Sequence, residues 1–306
     1  MKPLPPKISV VLPTKNEQDA IGNVIRDCRK ALLGIDHEII VVDASQDNTP
    51  VEAAQVGARV VKQKGNGGLG DALTQGFSLA SGEHIVFLDG DGTYDPADIQ
   101  KLAEPLLKNE VDLVNGNRFA NMEKGAMTLT NRIGNRILTW MGNVVFHTNL
   151  KDSQSGMKGF RRDILGRITL LERSFPITSE LLAEASKADL RISEVDITYR
   201  RRIGTSKLKP ASAGPNICWA VLLMLRDYDP LLLFTMIGLV LELVGLYVAW
   251  PAIFEFVEGG SFTLVGRALA AIFFWLAGLF SIFTGVILDT VNYSIRRIER
   301  RASGLA

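Results

Sequence analysis

Two carboxylates, Asp89 and Asp91, are separated by one glycine and follow a short apolar run. The run, residues 84–88, is rich in β-branched and aromatic side chains, which predicts an interior strand. Carboxylates at the end of such a strand are the hard oxygen ligands that Mg²⁺ and Mn²⁺ prefer. The spacing therefore predicts a site for Mg²⁺ or Mn²⁺, against the simpler alternative of an Asp/Gly turn that only ends the strand.

Polar and acidic clusters also follow two earlier strand-like runs, PTKNE at 13–17 and DASQDNT at 43–49. Helical stretches alternate with the strand-like runs, which predicts an α/β domain with a mainly parallel sheet. Ligands of such domains bind at the carboxyl ends of the strands, where these clusters lie. The strands expected from the sequence cover residues 8–12, 38–42, 58–62, 84–88 and 111–115.

A glycine-rich stretch, GNGGLG at 65–70, matches the dinucleotide-binding pattern, and Asp89 lies near the spacing of a ribose-binding acid. Two strand-helix units precede the stretch, Asp91 doubles the distal acid, and no constellation for hydride transfer follows. We therefore reject an NAD-dependent oxidoreductase. Close approach of the backbone to a nucleotide and a plain flexible loop explain the glycines equally well.

Two almost wholly apolar segments, about 231–250 and 264–288, lie in the last third of the chain. A helix of 20 residues rises about 30 Å, the thickness of the hydrocarbon core of a bilayer, so each segment predicts a transmembrane helix. Glu242 in the first segment and Arg267 in the second are costly in lipid, and we predict that they pair or face another subunit. The net charge of +1 argues against a nucleic-acid binder.

Arginines flank the apolar segments on one side only. Arg226 precedes the first segment, whereas the connecting loop carries Glu255 and Glu258. The positive-inside bias then predicts a multi-pass protein of the cell (plasma) membrane with its large N-terminal domain and both termini in the cytosol. The arginines after the second segment are Arg296, Arg297, Arg300 and Arg301.

Residues 128–146 have apolar side chains at helical spacing, with Arg132 and Arg136 on another face. This pattern is typical of a helix on a membrane surface, and a core-facing amphipathic helix is an equally weighted alternative. The resulting plan has a domain at 1–210 that includes the candidate interface helix at 128–147. A juxtamembrane interfacial helix at 211–228 and a two-helix transmembrane region at 229–306, with a basic tail, complete it.

Six segments in order make the chain resemble the inverting family 2 glycosyltransferases of GT-A fold. The later three are similar to the polyprenyl-phosphate branch, which includes dolichyl-phosphate mannose synthase. Within that branch, LDGDGTY at 88–94 and GNRFANMEKGAM at 116–127 most resemble archaeal dolichyl-phosphate hexose or N-acetylglucosamine transferases of protein N-glycosylation. The six segments are LPTKNE at 12–17, VDASQDNT at 42–49, DGD at 89–91, GNRF at 116–119, DSQSGMKGF at 152–160 and RRIGTSK at 201–207.

The resemblance implies a GT-A, Rossmann-like nucleotide-sugar-binding domain that transfers one sugar, with inversion and a divalent metal, to dolichyl or polyprenyl phosphate. UDP-glucose or UDP-N-acetylglucosamine is the favoured donor. Mannose synthases carry D-x-D-L-Q, whereas Gly92 and Thr93 follow here, so a GDP-mannose-dependent mannose synthase is the alternative. A non-catalytic membrane scaffold is the alternative of a different class. The bilayer is an expected partner, and a homo-oligomer stays open.

The same resemblance assigns the donor side of the site. Pro13, Glu17 and Asp43 match residues that touch the nucleoside. Asp89 and Asp91 match catalytic residues that handle the ribose, the diphosphate and the metal, with Asp91 the more direct metal ligand.

The acceptor side is assigned to cationic residues. Arg118 and Arg132 match catalytic positions that hold the lipid phosphate, and Arg201, Arg202 and Lys207 match a basic lip above it. Guanidinium groups suit phosphate because they donate hydrogen bonds in a fixed fork.

A phosphate monoester is already anionic at neutral pH, so an acceptor of this kind needs no general base. A hydroxyl acceptor would need a carboxylate base within hydrogen-bond reach. Glu180 is the candidate for that role, and we assign it instead to a structural or sugar-orienting one.

Overall fold

The computed structural model describes residues 7–65, 68–170, 177–203, 225–226, 229–259 and 263–302 of the 306-residue chain. The chain divides into two compact units, Met1–Ala220 and Val221–Ala306. Lys207 and almost all of the predicted juxtamembrane helix at 211–228 lie outside the described residues.

The first unit is built on a seven-stranded sheet whose order is β3-β2-β1-β4-β6-β5-β7. The sixth strand runs antiparallel to both of its neighbours, and the other neighbouring pairs are parallel. The predicted α/β class with a mainly parallel sheet is therefore confirmed. The strands are β1 Ile8–Thr14, β2 His37–Asp43, β3 Arg59–Lys62, β4 His84–Phe87, β5 Leu113–Met122, β6 Lys158–Arg161 and β7 Ile192–Tyr199.

The order of the strands places a crevice beside β1. The chain runs from β1 outward to β3 and then crosses back to the other side of β1 to form β4. Such a reversal of direction opens the crevice in which α/β proteins bind ligands, at the carboxyl ends of the strands. The helices of this unit are α1 Gln18–Ala31, α2 Thr49–Gln55, α3 Leu69–Leu79, α4 Ile99–Leu107, α5 Leu129–Phe146 and α6 Ile177–Lys187.

Both faces of the sheet are covered because β1, β2 and β4 are apolar on both sides and almost completely buried. On one face Phe77 of α3 packs edge-on against Phe160 of β6, with ring centroids 5.0 Å apart. Helix α3 comes this close because it presents Gly76 to the sheet, where a Cβ would lie 2.3 Å from Cγ1 of Val11. The strands that carry the predicted site are thus fixed from both faces.

Helix α5 turns apolar side chains away from the core. It begins after Thr128, whose hydroxyl accepts a hydrogen bond from the Asn131 amide (3.2 Å). Its buried residues, Gly134, Leu138, Thr139 and Gly142, are mostly small. The side chains that form the exposed apolar stripe are Leu129, Ile133, Ile137, Trp140 and Val144. One face of the helix thus packs on the domain and another exposes apolar side chains, and the membrane-interface role stays a prediction.

The second unit consists, in its described part, of two long helices, α7 Pro230–Gly259 and α8 Val265–Ala302. Both are long and apolar enough to cross a membrane, with a mean hydropathy of 2.3 in each candidate span. Their contact uses glycine, as in membrane helix pairs. A Cβ on Gly238 would meet the Gly278 carbonyl oxygen at 2.8 Å, and one on Gly245 would meet the ring of Trp275 at 2.6 Å.

The predicted pairing of Glu242 with Arg267 is wrong. The Glu242 carboxylate lies against Gly278, where a Cβ would come 2.9 Å from Oε1. Gly278 is three helical turns beyond Arg267, about 16 Å along α8. The structure gives no ion pair between the two side chains, both of which belong to its described part.

Candidate functional site

The ends of β1 and β2 hold a carboxylate at the crevice. Thr14 and Asp43 are partners in the parallel register. The Thr14 hydroxyl donates to Oδ1 of Asp43 (2.7 Å), and Ser45 donates its hydroxyl to Oδ1 (2.6 Å) and its amide to Oδ2 (3.1 Å). The Asp43 carboxylate is therefore buried and fixed in orientation. Pro13, partly exposed, and Glu17, buried, come from the end of β1 and the loop that follows.

The doubled aspartates follow β4 at the same edge of the sheet. Oδ1 of Asp91 accepts hydrogen bonds from the amide (3.0 Å) and the hydroxyl (2.6 Å) of Thr93. Asp89 lies against Gly156, where a Cβ would meet the Asp89 carboxylate at 3.1 Å and the Tyr94 hydroxyl at 3.0 Å. The Gly156 amide donates to that hydroxyl (2.6 Å). A side chain at position 156 would push Asp89 out of place.

The two aspartates fit a divalent cation by their electrostatics. Burial, and then the charge of Asp91, raises the pKa of Asp89 to about 7. A cation between such carboxylates would offset their repulsion. No group of three or more His, Cys, Asp or Glu side chains in the described ranges could hold a metal ion. Two carboxylates alone would leave further positions on a bound Mg²⁺ to water and substrate phosphates.

Arg202, which the resemblance matches to a basic lip for the lipid phosphate, contacts two of the carboxylates at this edge of the sheet. Its Nη1 is 3.2 Å from Oδ2 of Asp91, and its Nη2 donates to Oε1 of Glu17. Residues at the ends of β1 and β4 are thereby joined to the segment after β7. The contact links residues 185 positions apart, which no local pattern reveals.

Arg118 lies within β5, beside its register shift, and is bound to Asp152, an acid with no role assigned from the sequence. Its Nε and Nη2 donate to the two carboxylate oxygens of Asp152 (2.6 and 2.8 Å), and its amide also donates to Asp152 (3.1 Å). The guanidinium lies over the Tyr199 ring, 5.5 Å from its centroid. Both members of the pair are buried. Arg118 therefore borders the site in a fixed position, and its role in holding phosphate stays a prediction.

A buried lysine, Lys158, holds the loop that carries Asp152 from the core side. Lys158 donates its ammonium to Oδ1 of Asn115 and to the Ser153 carbonyl (3.1 Å). The Asn115 amide group donates to the Asp152 carbonyl (2.9 Å) and to Glu194 (2.8 Å). Glu194 in turn accepts from the Asp152 amide (3.1 Å). This network was not predicted from the sequence, because a fully buried lysine is rare and has no local signal.

Arg132 and Arg201, the other predicted cations in the described ranges, form no ion pair with Asp89 or Asp91. Arg132 is exposed on α5. Arg201 is exposed and donates from Nε to the Lys124 carbonyl (2.8 Å). Glu180 is buried on α6. The donor-side residues thus lie together with Arg202 at the ends of β1, β2 and β4. The other acceptor-side residues that the structure describes are Arg118 on β5, Arg132 on α5 and Arg201 after β7.

The mixed, mostly parallel sheet, with carboxylates at the ends of β2 and β4, has the GT-A fold of glycosyltransferases. The family model for glycosyl transferase family 2 matches residues 9–169. The chain belongs to this family and is a glycosyltransferase.

Three similar proteins illustrate the relationship. The chain is 31% identical over 305 residues to glycosyltransferase AglJ of Haloferax volcanii, covering 97% of this chain and 99% of that protein. It is 33% identical over 212 residues to a dolichyl-phosphate hexose transferase of the same organism, covering 69% of this chain and 90% of the relative. Glucosyl-3-phosphoglycerate synthase of Mycobacterium tuberculosis, crystallised with Mn²⁺ and UDP-glucose, is 25% identical with a TM-score of 0.57, covering 72% and 78% of the two chains.

We expect the Arg118 and Asp152 charges to depend on each other for stability. Asp152→Asn should lower the free energy of unfolding by about 3–5 kcal/mol, because it leaves the Arg118 guanidinium buried with a neutral partner. Arg118→Gln should cost a similar amount. The double variant should regain most of the loss, because no buried charge is left uncompensated. Thermal unfolding of the four proteins measures the coupling, and additive losses would contradict it.

We also expect a pH dependence of stability from Lys158. Burial, reinforced by the charge of Arg118, lowers its pKa to about 7 against the opposing charges of Asp152 and Glu194. Between about pH 7 and the unfolded value near 10.5 the unfolded chain binds the extra proton, so the free energy of unfolding should rise with pH in that window.

This rise should be missing in Lys158→Met and present in the control Lys30→Met, whose ammonium is exposed beside Asp27. The measurement is the unfolding midpoint of the three proteins in detergent from pH 6 to about 10. Parallel pH profiles for wild type and Lys158→Met would show that the burial of Lys158 carries no proton linkage.

Proposed function

We propose that the protein transfers a single sugar, with inversion, from UDP-glucose or UDP-N-acetylglucosamine to a dolichyl or polyprenyl phosphate, in a reaction that feeds protein glycosylation. The observation that carries the proposal is the two-carboxylate pair, Asp89 and Asp91, with the charges of Arg118 and Arg202 close enough to act on Asp89. A nucleoside diphosphate with its metal ion needs carboxylates, and a phosphate acceptor needs cations.

The donor would bind along the ends of β1, β2 and β4. Asp43 is held by Thr14 and Ser45, so its carboxylate is oriented before the nucleoside arrives and loses little freedom on binding. Pro13 and Glu17 would complete the nucleoside contact. The Mycobacterium relative crystallised with UDP-glucose supports a uridine nucleotide as donor.

Asp91, assisted by Asp89, would hold Mg²⁺ or Mn²⁺ against the diphosphate. When bound, the ion supplies electrostatic stabilisation for the charge that develops on the leaving nucleotide diphosphate. The chain's own contribution is orientation, since Thr93 fixes one oxygen of Asp91 and Gly156 leaves room for Asp89.

The acceptor phosphate would approach from the side of Arg118 and Arg132, below a lip formed by Arg201, Arg202 and Lys207. Arg118 and Arg132 would hold the phosphate in line with the bond to be broken, which lowers the barrier through proximity and orientation. The anionic oxygen attacks the sugar carbon and the nucleotide diphosphate leaves, so no proton has to be moved. Glu180 then serves a structural or sugar-orienting role.

The lipid acceptor requires a membrane, and the apolar surfaces of the chain fit one. The exposed stripe of α5 would lie on the bilayer surface, with α7 and α8 as spans. The domain at 1–210 and both termini would face the cytosol, with 211–228 as a juxtamembrane helix and 229–306 as the transmembrane region. The dolichyl-phosphate hexose transferase among the relatives supports this acceptor class.

The first test identifies the substrates. The full chain, purified in detergent, is incubated with polyprenyl phosphate and a panel of UDP- and GDP-sugars, and the lipid product is identified by mass. We expect a hexosyl or N-acetylhexosaminyl lipid phosphate from a UDP-sugar, and no product from the matched polyprenol without phosphate. Product from GDP-mannose alone would favour the mannose synthase alternative, and turnover without any lipid would reject the acceptor class.

The second test concerns the metal. Asp91→Asn should lower kcat at least 100-fold, because a metal ion contributes several kcal/mol and each 1.36 kcal/mol is about tenfold. EDTA should abolish turnover and Mn²⁺ should restore it. Asp95→Asn is the matched control, since Asp95 lies in the same loop but pairs with Arg200. A fully active Asp91→Asn protein with normal thermal unfolding would reject the metal assignment.

A further inference from the structure

One hydrogen-bond donor of the Arg202 guanidinium, Nε, has no acceptor among the described residues. Nη1 and Nη2 reach Asp91 and Glu17. Nε is buried and has no hydrogen-bond partner among the residues that the structure describes. The loss of solvent without a replacement acceptor is costly, so the observed pose of Arg202 leaves a donor for a further anionic ligand.

The segment that carries Arg202 is held by its backbone and not by the guanidinium. The Arg200 amide donates to the Thr93 carbonyl (2.7 Å), and the Ile203 amide donates to the Asp91 carbonyl (3.2 Å). Ile203 also covers Gly92, where a Cβ would lie 3.0 Å from its Cδ1. The guanidinium can therefore change partners while its backbone stays paired with residues 91–93.

Arg202 and a metal ion would need the same oxygen of Asp91. Oδ1 is engaged by the amide and hydroxyl of Thr93, whereas Oδ2 faces Nη1 of Arg202 at 3.2 Å. A divalent cation on Oδ2 would meet the positive guanidinium at close range. At such separations two like charges repel strongly in a partly buried site.

We propose that Arg202 occupies the cation position of the free enzyme and so makes metal binding depend on the nucleotide. The inference rests on the proposed function, since it takes Asp91 as the metal ligand. A divalent ion then binds Asp91 tightly only together with a nucleoside diphosphate. The diphosphate oxygens offer Arg202 new acceptors, including one for Nε, and guanidinium groups match phosphate in a fixed fork.

This arrangement couples two ligands through one side chain. The nucleotide draws Arg202 away from Asp91 and so favours the metal, and by linkage the metal favours the nucleotide by the same factor. The free enzyme would meanwhile keep its carboxylates neutralised by a cation of its own chain. Arg202 is therefore a positioning residue for the order of binding.

The experiment measures Mn²⁺ binding directly, from the spin-resonance signal of free Mn²⁺, with the full chain in detergent and without turnover. Wild type is compared with Arg202→Gln, with and without UDP. Without nucleotide we expect Arg202→Gln to bind Mn²⁺ on the order of tenfold more tightly than wild type, within the usual range of coupling between sites. UDP should tighten Mn²⁺ binding to wild type much more than to the variant.

Two further variants keep the result interpretable. Arg200→Gln removes the same charge two residues away, where the arginine pairs with Asp95, and should leave Mn²⁺ binding unchanged. Arg202→Lys retains a charge but not the fork, and should bind Mn²⁺ with an affinity between those of wild type and Arg202→Gln.

The outcomes separate this inference from the proposed function. Equal affinities of wild type and Arg202→Gln for Mn²⁺ without nucleotide would overturn the inference and leave the metal site standing. An equal gain in Arg200→Gln would also overturn it, because net charge alone would then explain the effect. Failure of wild type to bind Mn²⁺ even with UDP or GDP would overturn the metal assignment and the inference together.

Discussion

Repulsion among carboxylates at one edge of the sheet is the constraint around which this site is arranged. Parallel pairing of β1 with β2 and with β4 brings their carboxyl ends together, and with them Glu17, Asp89 and Asp91. The charges of Asp91 and Glu17 both raise the pKa of Asp89, and those of Arg118 and Arg202 act in the opposite direction. A fold that gathers negative charge at this edge must bring cations to the same place.

The two arginines that answer this need differ in how firmly they are held. Arg118 is buried, and both oxygens of Asp152 and the face of Tyr199 engage it. Arg202 is about a quarter exposed and leaves Nε without an acceptor in the described structure. Breaking a buried, fully bonded pair is expensive, whereas exchanging one carboxylate for a phosphate oxygen is not. Arg118 is thus suited to keeping its positive charge in one position. Arg202 is suited to exchanging a carboxylate partner for a phosphate oxygen, as proposed above.

Local patterns in the sequence sufficed for much of the fold. All five predicted strands are present because each contains an apolar run, and β5 continues to Met122, past its predicted end at residue 115. Strand β6, KGFR, escaped prediction since four residues with two charges carry no alternation. Strand β7, ISEVDITY, did offer β-branched residues in alternation, a signal that could have found it.

The same patterns failed where contacts span long distances in the chain. The match of Arg202 to the lip over the lipid phosphate stays a prediction, but no local pattern revealed its contact with Glu17, 185 residues away. The Arg118 partner was missed because the segment DSQSGMKGF supplied the family resemblance without showing which side chain its aspartate would meet. For Glu242 the predicted partner was at the wrong height along α8, since the carboxylate packs against Gly278 and not beside Arg267.

The loop that carries Asp152 is fixed from two sides, which bears on the proposed lipid-phosphate acceptor. The Ser153 amide donates to the Thr139 hydroxyl of α5 (3.0 Å), so the residue next to Asp152 is tied to the helix that carries the exposed apolar stripe. Lys158 and Asn115 fix the same loop from the core side. A lipid phosphate cannot rise far from the bilayer surface, so the groups proposed to receive it would need to keep a constant height above that surface. A buried polar network does this better than a flexible loop, because each satisfied hydrogen bond restricts a motion that would change that height.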